Sequence, residues 1–372
     1  MTPPAGPVAR IDLSALVHNF HEVERLIGRA VDVLAMVKAD AYGHGAVEVT
    51  RALVGAGCRI FGVATLDEAS QLFQRAGLPA RARVLVFGGL LPAYAERAVE
   101  LGVEVVTHEA DVVRALGAAA VAAGRDVAIH VKVDTGMHRL GVAPEDVPEF
   151  LSVIGATRGV RAVALCSHFA LAESVSTDVT AGQLERLIAA SRAAAAVGEP
   201  LARHLANSAA IMTCKDAHLE MVRPGLMLYG LYPDASLHGR ANLRRVMTLH
   251  APVVRVADVA ADEGIGYGHT YRTSVPAKIA TLRCGYADGY PRALSNRGTV
   301  LFSGGTAPVV GRVCMDHVMV DVSAVGPVRV GDVAVMWGPE LPTEDVAAAA
   351  GTISYELVAR VGARVVRQYV GS

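Results

Sequence analysis

The sequence predicts an α/β protein: a (β/α)8 barrel followed by a smaller, mostly-β carboxy-terminal domain. Three observations carry this. Short apolar runs alternate with alanine- and leucine-rich amphipathic stretches over roughly the first 230 residues. Eight such runs can be counted. Beyond Leu237 the pattern changes to short β-branched segments separated by glycine and proline. At 372 residues, 52% hydrophobic and 19% charged, the chain has the apolar material for two cores. A barrel takes roughly 250 residues, which leaves room for one smaller domain.

Taken in order, the candidate strands of the barrel are 33–38, 61–64, 84–87, 103–106, 127–133, 160–167, 204–207 and 221–223. Helical stretches such as 66–76 and 109–123 separate them. Eight alternating units specify a closed barrel more readily than an open doubly wound sheet, although periodicity alone leaves both open. The later segments 251–256, 278–282, 299–302, 307–310, 318–322 and 332–336 read as strands of an all-β domain. The domains are therefore expected at 10–240 and 241–372, with residues 1–9 joining the second as an edge strand.

Composition narrows the partners. A net charge of -1 and the absence of a basic run supply no broad attraction for nucleic acid or anionic lipid. The start, Met1-Thr2-Pro3-Pro4-Ala5-Gly6-Pro7, lacks the basic and apolar regions of a signal peptide, and no window approaches a membrane-spanning length. A cytoplasmic protein acting on small molecules, with no nucleic-acid or membrane partner, is expected. Cys58, Cys166, Cys214, Cys284 and Cys314 are scattered without paired spacing, so neither a disulfide framework nor a metal site is indicated.

In a barrel, chemistry sits at the carboxyl ends of strands and in the loops that follow. Lys38 closes the first predicted strand; Lys132, Asp134 and Arg139 follow the fifth; His168 follows the sixth; Asn207 and Ser208 follow the seventh; Arg223 ends the eighth. Each has an ordinary explanation as a strand-end polar group, but that explanation must be invoked separately every time. Lys38 is the most telling, because an apolar strand desolvates its amine and only a neutral amine attacks a carbonyl or carries a Schiff base. Ser208, Gly225 and Leu226 lie in the loops where barrels commonly bind phosphate. A lysine facing a phosphate site is the minimum geometry for a phosphorylated aldehyde, and pyridoxal phosphate is the natural candidate.

Several segments together resemble the bacterial alanine racemases over nearly the whole chain. They are Val37-Lys38-Ala39-Asp40-Ala41-Tyr42-Gly43-His44-Gly45, Lys132-Val133-Asp134-Thr135-Gly136-Met137-His138-Arg139-Leu140-Gly141, Asn207-Ser208-Ala209, Arg223-Pro224-Gly225, Gly266-Tyr267-Gly268, Gly285-Tyr286-Ala287-Asp288-Gly289-Tyr290, Gly311-Arg312-Val313-Cys314-Met315-Asp316 and Ile353-Ser354-Tyr355-Glu356. The resemblance implies a pyridoxal phosphate enzyme that interconverts L- and D-alanine, supplies D-alanine for peptidoglycan, and works as a head-to-tail homodimer with shared active sites.

It also implies roles. Lys38 would hold the cofactor and act as one base, and Tyr267 of the other subunit as the second. His168 would bond Tyr267 and be contacted by Arg223, which would face the pyridine nitrogen. Arg139 would bond the cofactor's phenolic oxygen, oriented by Lys132, a lysine often carbamylated in the family. Tyr42, Ser208, Gly225, Leu226 and Tyr355 would contact phosphate, with Asn207 adjacent. The Met315 backbone N–H would hold the substrate carboxylate, while Tyr286, Arg292, Arg312 and Asp316 would line the access path. His44 and His138 are assigned no role, and Asp134 suits a loop acceptor better than a catalytic acid. A serine or broad-specificity racemase, an amino-acid decarboxylase on a related scaffold and a non-catalytic pyridoxal phosphate binding protein are the competing readings.

Overall fold

A computed structural model describes residues 5–173, 178–198 and 200–371. Strand β1 (Val8–Asp12) precedes eight parallel strands that close into a barrel: β2 (Asp32–Met36), β3 (Ile60–Val63), β4 (Arg83–Val86), β5 (Glu104–Thr107), β6 (Val127–Lys132), β7 (Val160–Cys166), β8 (Ala202–His204) and β9 (Met221–Val222). Closure is made by β2 pairing with β9, Asp32 beside Met221 and Val33 beside Val222. All eight predicted barrel strands are therefore present, and the closed barrel rather than the open sheet is the outcome.

The strands form because their side chains have a dry place on both faces. Leu34, Phe61, Leu85, Val105, Ile129, Val131 and Leu165 are fully buried, as expected when helices cover a parallel sheet. The helix Leu66–Arg75 shows how an individual element is set. Thr65 accepts the N–H of Glu68, whose carboxylate in turn accepts the N–H of Thr65, a reciprocal cap that fixes the first turn. Leu66, Ala69 and Leu72 then fall on its buried face. Truncating one such buried leucine to alanine costs about 2–5 kcal/mol.

The carboxy-terminal strands are β10 (Met247–Val259), β11 (Gly264–Ile265), β12 (Tyr271–Arg272), β13 (Ala277–Leu282), β14 (Thr299–Phe302), β15 (Gly305–Pro308), β16 (Val318–Asp321), β17 (Val333–Trp337) and β18 (Val366–Val370). One sheet runs β15-β14-β17-β10-β1-β18, with β13 and β16 extending from β10, and β11-β12 forms a separate hairpin. The long β10 organises this sheet: it pairs with β1, β17 and β13, shifting register at two points. A compact unit of residues 1–16, 42–45 and 244–372 contains these strands, and a second, of residues 17–41 and 46–243, contains the barrel.

Three departures from the sequence expectation have local causes. The predicted edge strand before Ile11 is an interior one, because β1 lies antiparallel to β10 and parallel to β18. The first barrel strand stops at Met36 rather than Lys38, because the chain enters a left-handed turn at Ala39. The hairpin β11-β12, the strand β18 and the helices Thr343–Ala350 and Ser354–Ala359 carry too few residues to show a period.

Candidate active site

The polar residues at the carboxyl end of the barrel begin with Lys38, two residues beyond β2. Ala39, Asp40, Ala41 and Tyr42 follow with φ of 52–54°, four consecutive non-glycine residues in the left-handed region. Each costs roughly 1–2 kcal/mol, so the turn needs external support. Glu68 supplies it by accepting the Ala39 N–H at 2.7 Å, and Asp40 Oδ1 accepts that of Ala46 at 2.8 Å. The lysine is thus held at a rigid corner. Burial, and after it the charge of Arg139, pull its amine below the ordinary lysine range.

Lys132 ends β6, and burial pushes its pKa down to about 8, with Arg223 and Arg139 adding repulsion. The loop beyond it is organised by Asp134. Its Oδ1 accepts the N–H groups of Gly136, Met137 and His138 at 2.9, 3.1 and 3.0 Å, and its Oδ2 lies 3.1 Å from His138 Nδ1. Asp134 is therefore a loop acceptor, and His138, with a φ of 54°, is part of that turn. Arg139 is exposed on the same loop. Together with Lys132, Met137, Leu140, Ser167 and His168, it lines a small cavity.

Arg223 follows β9 directly and is only 5% exposed, and its guanidinium meets acceptors alone. The two N–H bonds of Nη2 are shared among Ser167 O, Leu205 O and His168 Nδ1 at 2.7, 3.1 and 3.2 Å, and Nη1 donates to His204 Nδ1 at 2.9 Å. Because His168 Nδ1 accepts, the proton of the neutral ring sits on Nε2. Burial, then Arg223, hold His168 well below the ordinary histidine range. Gln183 fixes the loop that carries it, donating to His168 O at 3.0 Å and accepting from Ala170 N at 2.9 Å.

The two loops after β8 and β9 are tied together by one atom. Ser208 Oγ accepts the N–H of Gly225 at 3.0 Å and of Met227 at 3.2 Å. Leu226 is buried between them in sequence. Asn207 Oδ1 accepts the Ala210 N–H at 3.0 Å and so caps the short helix Ser208–Thr213. The Asn207 side-chain oxygen and the Ser208 hydroxyl oxygen thus shape these loops.

The remaining predicted residues belong to the other unit. Tyr267 is 71% exposed and framed by Gly266 and Gly268, both at positive φ. Gly266 has φ 68° and ψ -164°, a conformation open essentially to glycine alone, and a β-carbon there would lie 2.7 Å from Met319 Cε. The guanidinium of Arg312 lies along Gly268, and Ile265, two residues before Tyr267, belongs to a buried apolar cluster with Ala277, Ile279 and Val310. Tyr286 and Met315 are brought together because Gly285 lets two turns touch: a β-carbon on it would fall 2.3 Å from Met315 O. Tyr286 N donates to Cys314 O at 3.0 Å and Ala287 N to Met315 O at 3.1 Å.

Asp316 pairs with Arg364 at 2.8 Å, and Arg364 also holds the fully buried Asp288 at 3.0 Å. The bond from Arg364 keeps the Asp316 carboxyl below its ordinary range. Arg292 is exposed on a short 3-10 turn. Tyr42 and Tyr355 face each other with ring centroids 6.3 Å apart, and burial pushes the Tyr42 phenol up to about 12. Among the residues the sequence expectation did not single out are Glu68, whose spacing from Thr65 is a helix-cap signature, and His204, the first residue of a predicted strand. Among the described residues no group of histidine, cysteine, aspartate or glutamate could hold a metal ion, and no helix is long and apolar enough to cross a membrane.

Fold and site together define a closed β/α-barrel protein with a desolvated lysine among further cationic side chains at the carboxyl end of its strands. The descriptions "Alanine racemase, N-terminal domain" and "Alanine racemase, C-terminal domain" match residues 11–233 and 246–369. The chain belongs to the alanine racemase family. It is 42% identical to the alanine racemase of Desulfovibrio desulfuricans, over 97% of each chain. The alanine racemase of Streptomyces coelicolor superposes with a TM-score of 0.93 at 37% identity, covering 99% of this chain and 98% of that one. The structure from Bartonella henselae, described as having covalently bound pyridoxal phosphate, gives 0.89 at 30% identity, covering 99% and 100%.

Proposed function

We propose that the protein interconverts L- and D-alanine with pyridoxal phosphate bound at the carboxyl end of the barrel. The observation that carries this is Lys38, held on a left-handed corner with its amine's proton affinity lowered, among Lys132, Arg139, His168 and Arg223. The donor set fits the cofactor. Lys38 offers an amine for its aldehyde, and three further cationic side chains at one barrel end suit a group that carries a phosphate and a phenolic oxygen. When bound, the cofactor supplies the electron-withdrawing ring that makes the α-proton of an amino acid acidic.

Lys38 Nζ then takes or returns that proton on one face of the substrate, and Tyr267 Oη of a second copy serves the other face. The exposure of Tyr267, Tyr286 and Met315 supports a homodimer in which this surface is covered. His168 presents Nε2–H as a donor that favours the phenolate of Tyr267. Arg223, a donor only, would meet the ring nitrogen of the cofactor and favour its unprotonated form. Ser208, Gly225 and Leu226 hold the phosphate with Tyr42 and Tyr355, and Asn207 shapes the loop. Arg139 bonds the phenolic oxygen. Lys132, with a pKa of about 8, carries enough neutral amine to take up carbon dioxide as a carbamate that would orient Arg139. The Met315 N–H holds the substrate carboxylate, and Tyr286, Arg292, Arg312 and Asp316 line the way in.

The setting we propose is the cytoplasm, with D-alanine supplied for peptidoglycan. The test is interconversion of L- and D-alanine by the purified protein with pyridoxal phosphate, beside serine and lysine. Efficient turnover of alanine alone is expected. Preference for serine would give a broader racemase, and no racemisation by cofactor-loaded protein would overturn the reading.

A further inference from the structure

A chain of polar side chains crosses the barrel interior that the proposed chemistry does not use. Arg83, the first residue of β4, donates from Nε and Nη2 to Glu104, the first residue of β5, at 2.6 and 2.9 Å. Glu104 Oε2 lies 2.8 Å from His130 Nε2 in the middle of β6. His130 Nδ1 lies 2.8 Å from His204 Nε2 at the end of β8, and His204 Nδ1 lies 2.9 Å from Arg223 Nη1. Both histidines are completely buried, and their rings meet edge to face with centroids 5.0 Å apart.

The two ends of the chain dictate every proton between them. A guanidinium only donates and an ionised carboxylate only accepts. Arg223 therefore donates to His204 Nδ1, the His204 proton sits on Nε2 and is donated to His130 Nδ1, and the His130 proton sits on Nε2 and is donated to Glu104. A further proton on either ring would set two donors face to face. Burial pushes both histidines below the ordinary imidazole range, consistent with neutral rings. Against the upward push of burial, the bonds from His130 and Arg83 hold Glu104 at about 2.

We propose that this chain is a tautomer relay in which Glu104 fixes His130 and His204 as Nε2–H imidazoles and thereby locks the Arg223 guanidinium in the pose that reaches His168. Glu104, His130 and His204 are positioning residues. The coupling is steric and directional: if His130 moved its proton to Nδ1, His204 would have to move its own to Nδ1, and that N–H would then oppose Arg223. A carboxylate directly beside Arg223 would fix it equally well but would cancel its charge. Set two imidazoles away, the carboxylate orients the guanidinium and leaves its positive field to the reaction centre.

The inference rests on the proposed function only in taking Arg223 and His168 as parts of the active site, and its test separates the two. Long-range proton–nitrogen correlation of the cofactor-free protein labelled with nitrogen-15 histidine reads the tautomers directly. Two neutral Nε2–H rings persisting across the neutral pH range are expected in the wild type, and a Nδ1–H or doubly protonated ring at either position would overturn the relay. Glu104→Leu removes the terminal acceptor and should give mixed tautomers at both rings. In the holoenzyme it should lower kcat about tenfold, the loss of one well-placed hydrogen bond to a charged group, with little change in KM.

Glu104→Gln keeps an amide oxygen for His130 Nε2 and should restore both tautomers and most of kcat. If it behaves like Glu104→Leu, or if Glu104→Leu leaves tautomers and kcat unchanged, the relay is wrong. A wild type with ordered tautomers but no racemisation would overturn the proposed function instead.

Discussion

Removing one oxygen atom should loosen the two loops to which we assign the cofactor phosphate. Ser208 is 3% exposed, and its Oγ is the acceptor for two buried backbone N–H groups, those of Gly225 at 3.0 Å and Met227 at 3.2 Å. Ser208→Ala leaves both donors unpaired. Each orphaned buried group costs about 1–3 kcal/mol, so the pair amounts to about 2–6 kcal/mol. Partial relaxation of the loops, or a water admitted to the vacated space, recovers part of this, which sets the expected loss near 3 kcal/mol. The assay is urea unfolding of the cofactor-free protein, followed by far-ultraviolet dichroism and by fluorescence of Trp337. Trp337 is the chain's single tryptophan, fully buried on β17, so its fluorescence reports the β-rich unit. The barrel holds most of the helices and therefore dominates the dichroism. With a slope of a few kcal/mol per molar urea, the dichroism midpoint should fall by about 1 M, and cofactor affinity should weaken in parallel. A midpoint shift equivalent to less than about 0.5 kcal/mol would refute the claim that this hydroxyl holds the loops together.

Other perturbations test other parts of the molecule. Lys38→Ala should abolish the imine absorbance of added pyridoxal phosphate, whereas Tyr267→Phe should keep it and lose racemisation by about 100-fold or more; hybrid dimers of the two should regain part of the activity, and no recovery after proven subunit exchange would argue against a shared site. Glu104 has a folded pKa of about 2 against an ordinary 4.5, which corresponds to about 3 kcal/mol. A depressed carboxylate pKa stabilises the fold above the ordinary value and loses that contribution as pH falls through the folded one, so the stability gap between wild type and Glu104→Gln should close from pH 4.5 downward. A gap independent of pH would contradict the assignment. Gly266→Ala, at φ 68° and ψ -164°, should cost about 1–3 kcal/mol and displace Tyr267, read as a fall in kcat larger than the fall in thermal midpoint explains; unchanged kcat would show that the tyrosine needs no such frame.

The barrel was legible because its strands are short apolar runs and its chemistry-bearing residues stand where those runs stop. Lys38, Lys132, His168 and Arg223 each interrupt an apolar stretch, a one-dimensional signal, and the structure places all four at one barrel end. What could not be read has a different character. His130 lies inside β6 between Ile129 and Val131, and Glu104 opens a strand where a charged residue is unremarkable. Their link through His204 to Arg223 joins strands far apart in the sequence and appears only when the barrel closes. The left-handed turn was hidden for a related reason: Ala39, Ala41 and Tyr42 disfavour that conformation and Asp40 tolerates it only mildly better, and the partner that holds it, Glu68, belongs to a later helix. Close approach at Gly285 likewise depends on where the 314–316 segment comes to rest.

The acids near this barrel end explain why its cations coexist. Asp134 has three backbone N–H groups on one oxygen, and Glu68 accepts those of Ala39, Ala64 and Thr65, so both carboxylates are committed to shaping loops. Glu104 neutralises Arg83 and reaches Arg223 only through two neutral imidazoles. The charges of Glu68 and Asp134 still reach the cations, Glu68 raising the proton affinity of Lys38 and Asp134 that of Lys132, but burial outweighs both. Mutual repulsion and burial then lower the proton affinity of Lys38 and Lys132, while an anionic cofactor would relieve the repulsion on binding. Cofactor affinity should accordingly fall as salt rises, because ions that screen the cations weaken the same attraction. The loop-shaping carboxylates therefore act twice, as acceptors for the backbone and as a partial offset to the positive charge around the lysines. Glu68→Gln, which keeps an acceptor oxygen but removes the charge, should therefore lower the Lys38 pKa further, read as a fall in the pH at which Lys38 reacts with an added aldehyde; an unchanged pH would refute this.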